Sequence, residues 1–171
     1  MAVQHTAYPI LPRTRDLAPM ITEATIDQVL ERLERSPDTY EREVDDFADR
    51  QPELMDYLTN EDVEAFTELE RDLLLFAALV IFQAVTADQP ETKEVSGEAI
   101  ATAEEANYQQ LSQSKAPTFR DRLTPFFEQT KQEDLLAFVE DLTLAEGEEE
   151  VSAEAREPFF VTLKTVIDTL T

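Results

Sequence analysis

The sequence predicts an all-α single-domain bundle of about six to eight helices with an extended N-terminal arm. Three observations lead there. From Thr25 onward, apolar residues recur three and four apart, the spacing of one helix face. Ser, Thr and Pro stand repeatedly where such stripes begin, as helix openings require. Gly occurs only 2 times, and no Asn-Gly or Asp-Gly pair marks a β-hairpin.

Residues 1–22 form the arm. They hold Pro9, Pro12 and Pro19, carry Arg13 and Arg15 against Asp16, and show no period. Such a segment is either mobile or laid across the surface, and Tyr8, Ile10 and Leu11 suit docking. Residues 23–171 form a single all-helical domain. In its first helix Ile26, Val29, Leu30 and Leu33 trace one stripe, with Thr25 and Gln28 as a capping box at the start. Ser36-Pro37 closes that helix and opens the next, whose buried face is Tyr40, Val44, Phe47 and Ala48. Gln51-Pro52 punctuates again before Leu54, Met55, Tyr57 and Leu58.

Thr67 and Glu70 fit a capping box ahead of the run from Leu73 to Phe82, which continues through Val85. A helix apolar all round is one surrounded by others, so this is the expected centre. A more polar helix follows from about Ser96 to Gln113, with Ile100, Ala103, Asn107 and Leu111 on one side. Small residues at 99, 101, 103 and 106 imply close helix approach or room for a ligand beside Asn107, Tyr108 and Gln110. Thr118 opens a short segment that restarts at Thr124-Pro125, and Thr130 with Glu133 reads as a further capping box. The stretch Ala145 to Glu150 is an acidic loop without the acid–Gly–distal Glu order of a calcium-binding hand. The last helix carries Phe159, Phe160, Leu163, Val166, Ile167 and Leu170.

Two series run in parallel. Phe47, Leu54-Met55-x-Tyr57-Leu58, an acidic linker and Glu70-Arg71-Asp72 lead into the central helix. Phe127, Leu135-Leu136-x-Phe138-Val139, an acidic linker and Ala155-Arg156-Glu157 lead into the last. Two related helical halves would explain the match, as would chance similarity between amphipathic helices. If the halves are related, the 70–85 and 156–170 helices should pack side by side.

Charge bounds the function. The chain holds 38 Asp and Glu against 14 Lys and Arg, a formal charge of -24. Self-repulsion of that size is tolerable where salt is abundant, because molar salt shortens screening to about 3 Å. Scarce Lys, frequent Thr and no Cys or Trp complete a composition that resembles that of salt-in halophiles; a basic partner is the competing explanation. No basic stripe exists to neutralise phosphates, so neither nucleic acid nor an anionic membrane is an expected partner. The longest apolar run falls well short of the about 20 residues that span a bilayer, and Met1 to Pro12 lacks the pattern of a signal peptide. A soluble, cytoplasmic protein is expected.

Acidic motifs need weighing against this background. Asp45-Asp46-Phe47-Ala48-Asp49 resembles the DDxxD string of isoprenoid synthases, but no second Asp-rich motif accompanies it. Glu43-x-x-Asp46 and Glu104-Glu105 resemble, loosely, the magnesium-binding carboxylates of all-helical nucleoside triphosphate pyrophosphatases related to MazG. Tyr108 departs from that pattern where an acid belongs. His5, the single histidine, lies in the arm and cannot build a di-iron pair. Gly97 and Gly147 cannot form a phosphate loop.

The leading expectation is therefore a non-enzymatic protein acting through protein contacts, as adaptor or homo-oligomer, with no catalytic or cofactor-binding residue and no cofactor. The alternative is a magnesium-dependent phosphohydrolase with Glu43, Asp46, Glu104 and Glu105 at the metal. Three or more of Glu41, Asp45, Asp46, Asp49, Glu104 and Glu105 around one cavity would favour the enzyme.

Overall fold

A computed structural model describes residues 20–60, 65–147 and 150–171. Most of the arm, with His5 and Tyr8, lies outside the described residues, as do residues 61–64 and part of the acidic stretch at 148–149. The fold is all-α, and no strand occurs among the described residues. In order come α1 (Glu23–Arg35), a 3-10 turn (Pro37–Thr39), α2 (Tyr40–Arg50), α3 (Pro52–Leu58) and α4 (Glu68–Asp88). The second part repeats the plan with α5 (Gly97–Gln113), the broken pair α6 (Phe119–Arg122) and α7 (Thr124–Gln129), α8 (Glu133–Leu144) and α9 (Arg156–Leu170).

The expected centre is observed: α4 packs on α9, α1 on α4 and α5 on α9. Leu74 and every residue from Ala77 to Phe82 are buried in α4, as is every residue from Phe159 to Ile167 in α9. Each large side chain so buried contributes about 1.5–3 kcal/mol. Phe47 stacks on Phe82 at 4.5 Å, and Phe126 meets Phe160 edge-on at 5.1 Å. The buried ring in the second part is thus Phe126; Phe127, in the series read from the sequence, is only half-buried.

Two buried glutamines join the parts reciprocally. Gln51, the N-cap of α3, accepts from the Val95 N–H at 2.8 Å and donates to the Lys93 carbonyl at 2.9 Å. Gln132, the N-cap of α8, accepts from the Ile21 N–H at 2.9 Å. Val95 and Ile21 stand in the same place, one residue before Ser96 and Thr22, the N-caps of α5 and α1. Glu53 lies against Gly97 at the start of α5, while Asp134 accepts from the Glu23 N–H at the start of α1. Each half therefore grips the first helix of the other, the contact pattern of a two-fold relation.

Several helix starts differ from expectation. Thr22, not Thr25, caps α1, accepting from the Thr25 N–H; Ile21 and Ile26 then occupy the positions of a hydrophobic staple. Residues 20–22 thus belong to the domain, with Ile21 buried. Ser36 precedes Pro37 as expected but makes no side-chain cap. Thr130 and Glu133 form no capping box, because Gln132 holds the cap position and takes the Thr130 hydroxyl as acceptor for its own N–H. The Thr67–Glu70 box has both of its bonds. Glu70 is buried and also accepts from the Ser152 hydroxyl, tying the start of α4 to the segment before α9.

Candidate functional site

The sequence-predicted carboxylates go to different places. Glu43 and Asp46 line a groove between α1, α2 and α4 with Arg32 and Arg42. Arg32 already approaches Glu43 at 3.8 Å, and Asp46 lies 3.9 Å from Arg50. Asp45 and Asp49 are exposed on α2 while Phe47 between them is buried, so the DDxxD string is a solvated flank. Glu104 lines separate cavities beside α3, and Glu105 is exposed. The two pairs are not brought together, and no group of three or more acids or histidines among the described residues is placed to hold a metal ion.

A different constellation forms around α5 and α9. Tyr57 of α3 donates its hydroxyl to Glu104 Oε2 on α5. One turn further along α5, buried Asn107 donates from Nδ2 to Thr165 Oγ1 at 3.2 Å and to Asp168 Oδ2 at 3.0 Å. Asp168 pairs with Lys164, a buried ammonium lying 6.0 Å from the centre of the Phe126 ring. The result is a polar seam between α5 and α9. At its Tyr57 end opens a cavity of about 330 Å³, walled by Tyr57, Phe66, Tyr108 and Thr162 with the carboxylates of Asp72 and Glu104. The small residues at 99, 101 and 106 are exposed and only Ala103 is partly covered, so helix approach does not explain them.

The opposite side of the bundle, around α1, α4 and α8, supplies an internal comparison. At the positions corresponding to Tyr57 and Glu104 stand Phe138 and Leu30. Those corresponding to Asn107, Thr165, Lys164 and Thr162 hold Leu33, Val80, Leu79 and Ala77, all buried. Arg71 and Asp72, by contrast, recur as Arg156 and Glu157 and belong to the common frame. At these positions the α1–α4 contact is thus apolar, and Gln83, the counterpart of Asp168, accepts from Arg32 instead of joining a buried seam.

The chain matches no family model, no curated protein and no solved structure.

Electrostatics of the seam follow from its burial. Desolvation, then the hydrogen bond to Glu104, holds the Tyr57 phenol well above the ordinary 10.0, while nearby Thr162 and Thr165 hydroxyls act in the opposite sense. Tyr108 is raised as well, by burial and then by Glu104 and Glu157. A raised folded value means that the unfolded chain loses its phenol proton first as pH climbs. The stability these groups contribute is complete below about pH 10 and falls from there toward the folded value. Tyr57→Phe should therefore unfold less steeply than wild type above about pH 10 in alkaline titrations followed by circular dichroism. Equal slopes would mean that the Tyr57 hydroxyl is solvated.

Of the seam, the sequence marked Asn107 and Tyr108 by their place on a weakly apolar helix, but missed Tyr57, Thr165, Lys164 and Asp168. The signal was available in the aligned halves, where Tyr faces Phe and Asn faces Leu.

Proposed function

We propose that this protein is a non-enzymatic binding module, acting through contacts with a protein partner in a high-salt cytoplasm, and that the α5 side of the bundle is its contact site. The polar seam on one side of the bundle, with apolar residues at the corresponding positions of the other, supports this reading. Leaving a buried polar group without its partner costs about 1–3 kcal/mol. On the α1–α4 side, Leu33, Ala77, Leu79 and Val80 fill the positions corresponding to Asn107, Thr162, Lys164 and Thr165 without buried polar groups. Self-association has less support: Met20, Leu69 and Tyr108 are the exposed large apolar side chains among the described residues, and they come from separate segments. Stable apolar interfaces need patches of several hundred Å². The dispersal of Glu43, Asp46, Glu104 and Glu105 gives the phosphohydrolase alternative no assembled metal site.

The reading is tested by thermal shift with cationic, neutral and anionic small molecules, beside an assay of nucleoside triphosphate cleavage with magnesium. At about one hundred times its Kd, a ligand stabilises by about 2.7 kcal/mol, or roughly 5–10 °C here. At least one class should give such a shift, and Tyr108→Ala should remove it. Cleavage that Glu104→Gln abolishes would replace this reading with the catalytic one. A panel without any Tyr108-dependent shift would sink it.

A further inference from the structure

We propose that the cavity between α3, α4, α5 and α9 binds an organic cation, an alkylammonium group held by the rings of Tyr57, Phe66 and Tyr108 and by the carboxylates of Glu104 and Asp72. This rests on the reading of the chain as a binding module and names the chemistry of its ligand.

Three lines of argument converge. The first is the wall composition. Three aromatic side chains and two carboxylates face one space. Aromatic faces attract cations through their quadrupole, more strongly when water is excluded. Glu104 uses Oε2 for the Tyr57 hydroxyl, which orients the carboxylate and leaves its charge at the cavity wall. Arg71 also lines the space but is already engaged in its own interaction, and its counterpart Arg156 approaches Glu150 at 3.7 Å. The guanidinium is therefore part of the frame that both halves share.

The second is the local potential. Both phenols in the wall resist ionisation, Tyr108 in part through Glu104 and Glu157. Burial, the larger cause for both, disfavours a charge of either sign, so it is the part owed to Glu104 that marks negative charge at the wall. The third is size and range. A volume of about 330 Å³ sits at the small end of ligand sites and suits one side-chain-sized group. In molar salt a diffuse acidic surface attracts nothing beyond about 3 Å, whereas contact with rings and a carboxylate persists.

The same ammonium chemistry could arrive as a free amine or as a lysine side chain on the protein partner. Calorimetric titration of the whole chain separates these, with butylammonium and N-acetyl-lysine methylamide as cations and butanol and butyrate as neutral and anionic counterparts. Either cation should bind at least ten times more tightly than butanol or butyrate. Preference for the lysine derivative would assign the site to a protein partner, and preference for butylammonium to a free amine. Glu104→Gln keeps an acceptor for Tyr57 but removes the charge, and should weaken cation binding about tenfold. Tyr108→Ala, at an exposed position, should do the same. Glu34→Ala, the corresponding position of the other half and also the loss of one acid, should leave affinity within about twofold.

Butanol or butyrate binding as tightly as the cations would overturn the proposal while leaving the binding reading intact, provided Tyr108→Ala weakens them. An equal effect of Glu34→Ala and Tyr108→Ala would reduce the site to the general acidic field and overturn it too. Absence of binding by every probe would overturn it outright.

Discussion

Gln51→Leu is expected to destabilise the fold by roughly 2–4 kcal/mol, a large effect for a polar residue at a helix junction. The side chain is fully buried, and its amide takes the place of backbone partners for a neighbouring loop. It accepts from Val95 N–H and donates to Lys93 carbonyl oxygen, so replacing it by an apolar side chain of similar size strands both groups. Val95 directly precedes the N-cap of α5, and the loss therefore loosens the entry of the helix that carries Glu104, Asn107 and Tyr108. Gln132→Leu should also destabilise, by about 1–3 kcal/mol, because it strands the buried Ile21 N–H. Urea titration of both variants gives the comparison. A change within about 0.5 kcal/mol for Gln51→Leu would show that the loop finds other partners at no cost.

Thermal stability should rise strongly between low and molar potassium chloride. The chain carries a formal charge of -24, while ion pairs among the described residues are mostly of the surface kind that contribute little. Asp45 and Asp49, one helical turn apart on α2, illustrate the problem: both are exposed, and like charges at that spacing repel. Shortening the screening length from about 8 Å to about 3 Å removes most of that repulsion. Relief of about 4 kcal/mol would raise Tm by roughly 8–16 °C for a chain of this length. A flat profile from 0.1 to about 2 M would overturn the halophilic reading and leave the basic-partner explanation of the acidity.

These two predictions differ in how they could have been foreseen. The salt response follows from composition, with no coordinates needed. The Gln51 effect does not, because at its position the sequence offers only a polar residue ahead of Pro52, which reads as punctuation. The same is true of Gln132 and of the Thr130–Glu133 pair. Local rules assign a cap to the nearest Thr, whereas the distant Ile21 N–H needs an acceptor, and satisfying a buried donor outweighs an exposed cap. Thr22 was overlooked for a related reason: the staple formed by Ile21 and Ile26 places the helix start one turn earlier than the Thr25–Gln28 pair suggests.

The candidate site divides in the same way. Asn107 and Tyr108 stood out because they lie on a helix with few large apolar residues and several small ones. Tyr57 looked like core in its own helix, and Lys164 and Thr165 were hidden inside the apolar last helix. A polar residue within a buried stripe has no meaning until the group that satisfies it is known, and those groups lie on other helices.

Helix identity, the central pair α4 and α9, and the acidic exterior are consequences of hydrophobic period and charge, which are properties of neighbours along the chain. The reciprocal glutamine clamps, the separation of Glu43 and Asp46 from Glu104, and the seam running from Tyr57 to Lys164 are consequences of packing. Hydrogen bonds and cavities join residues far apart in sequence, and only the folded arrangement of helices decides which of them meet.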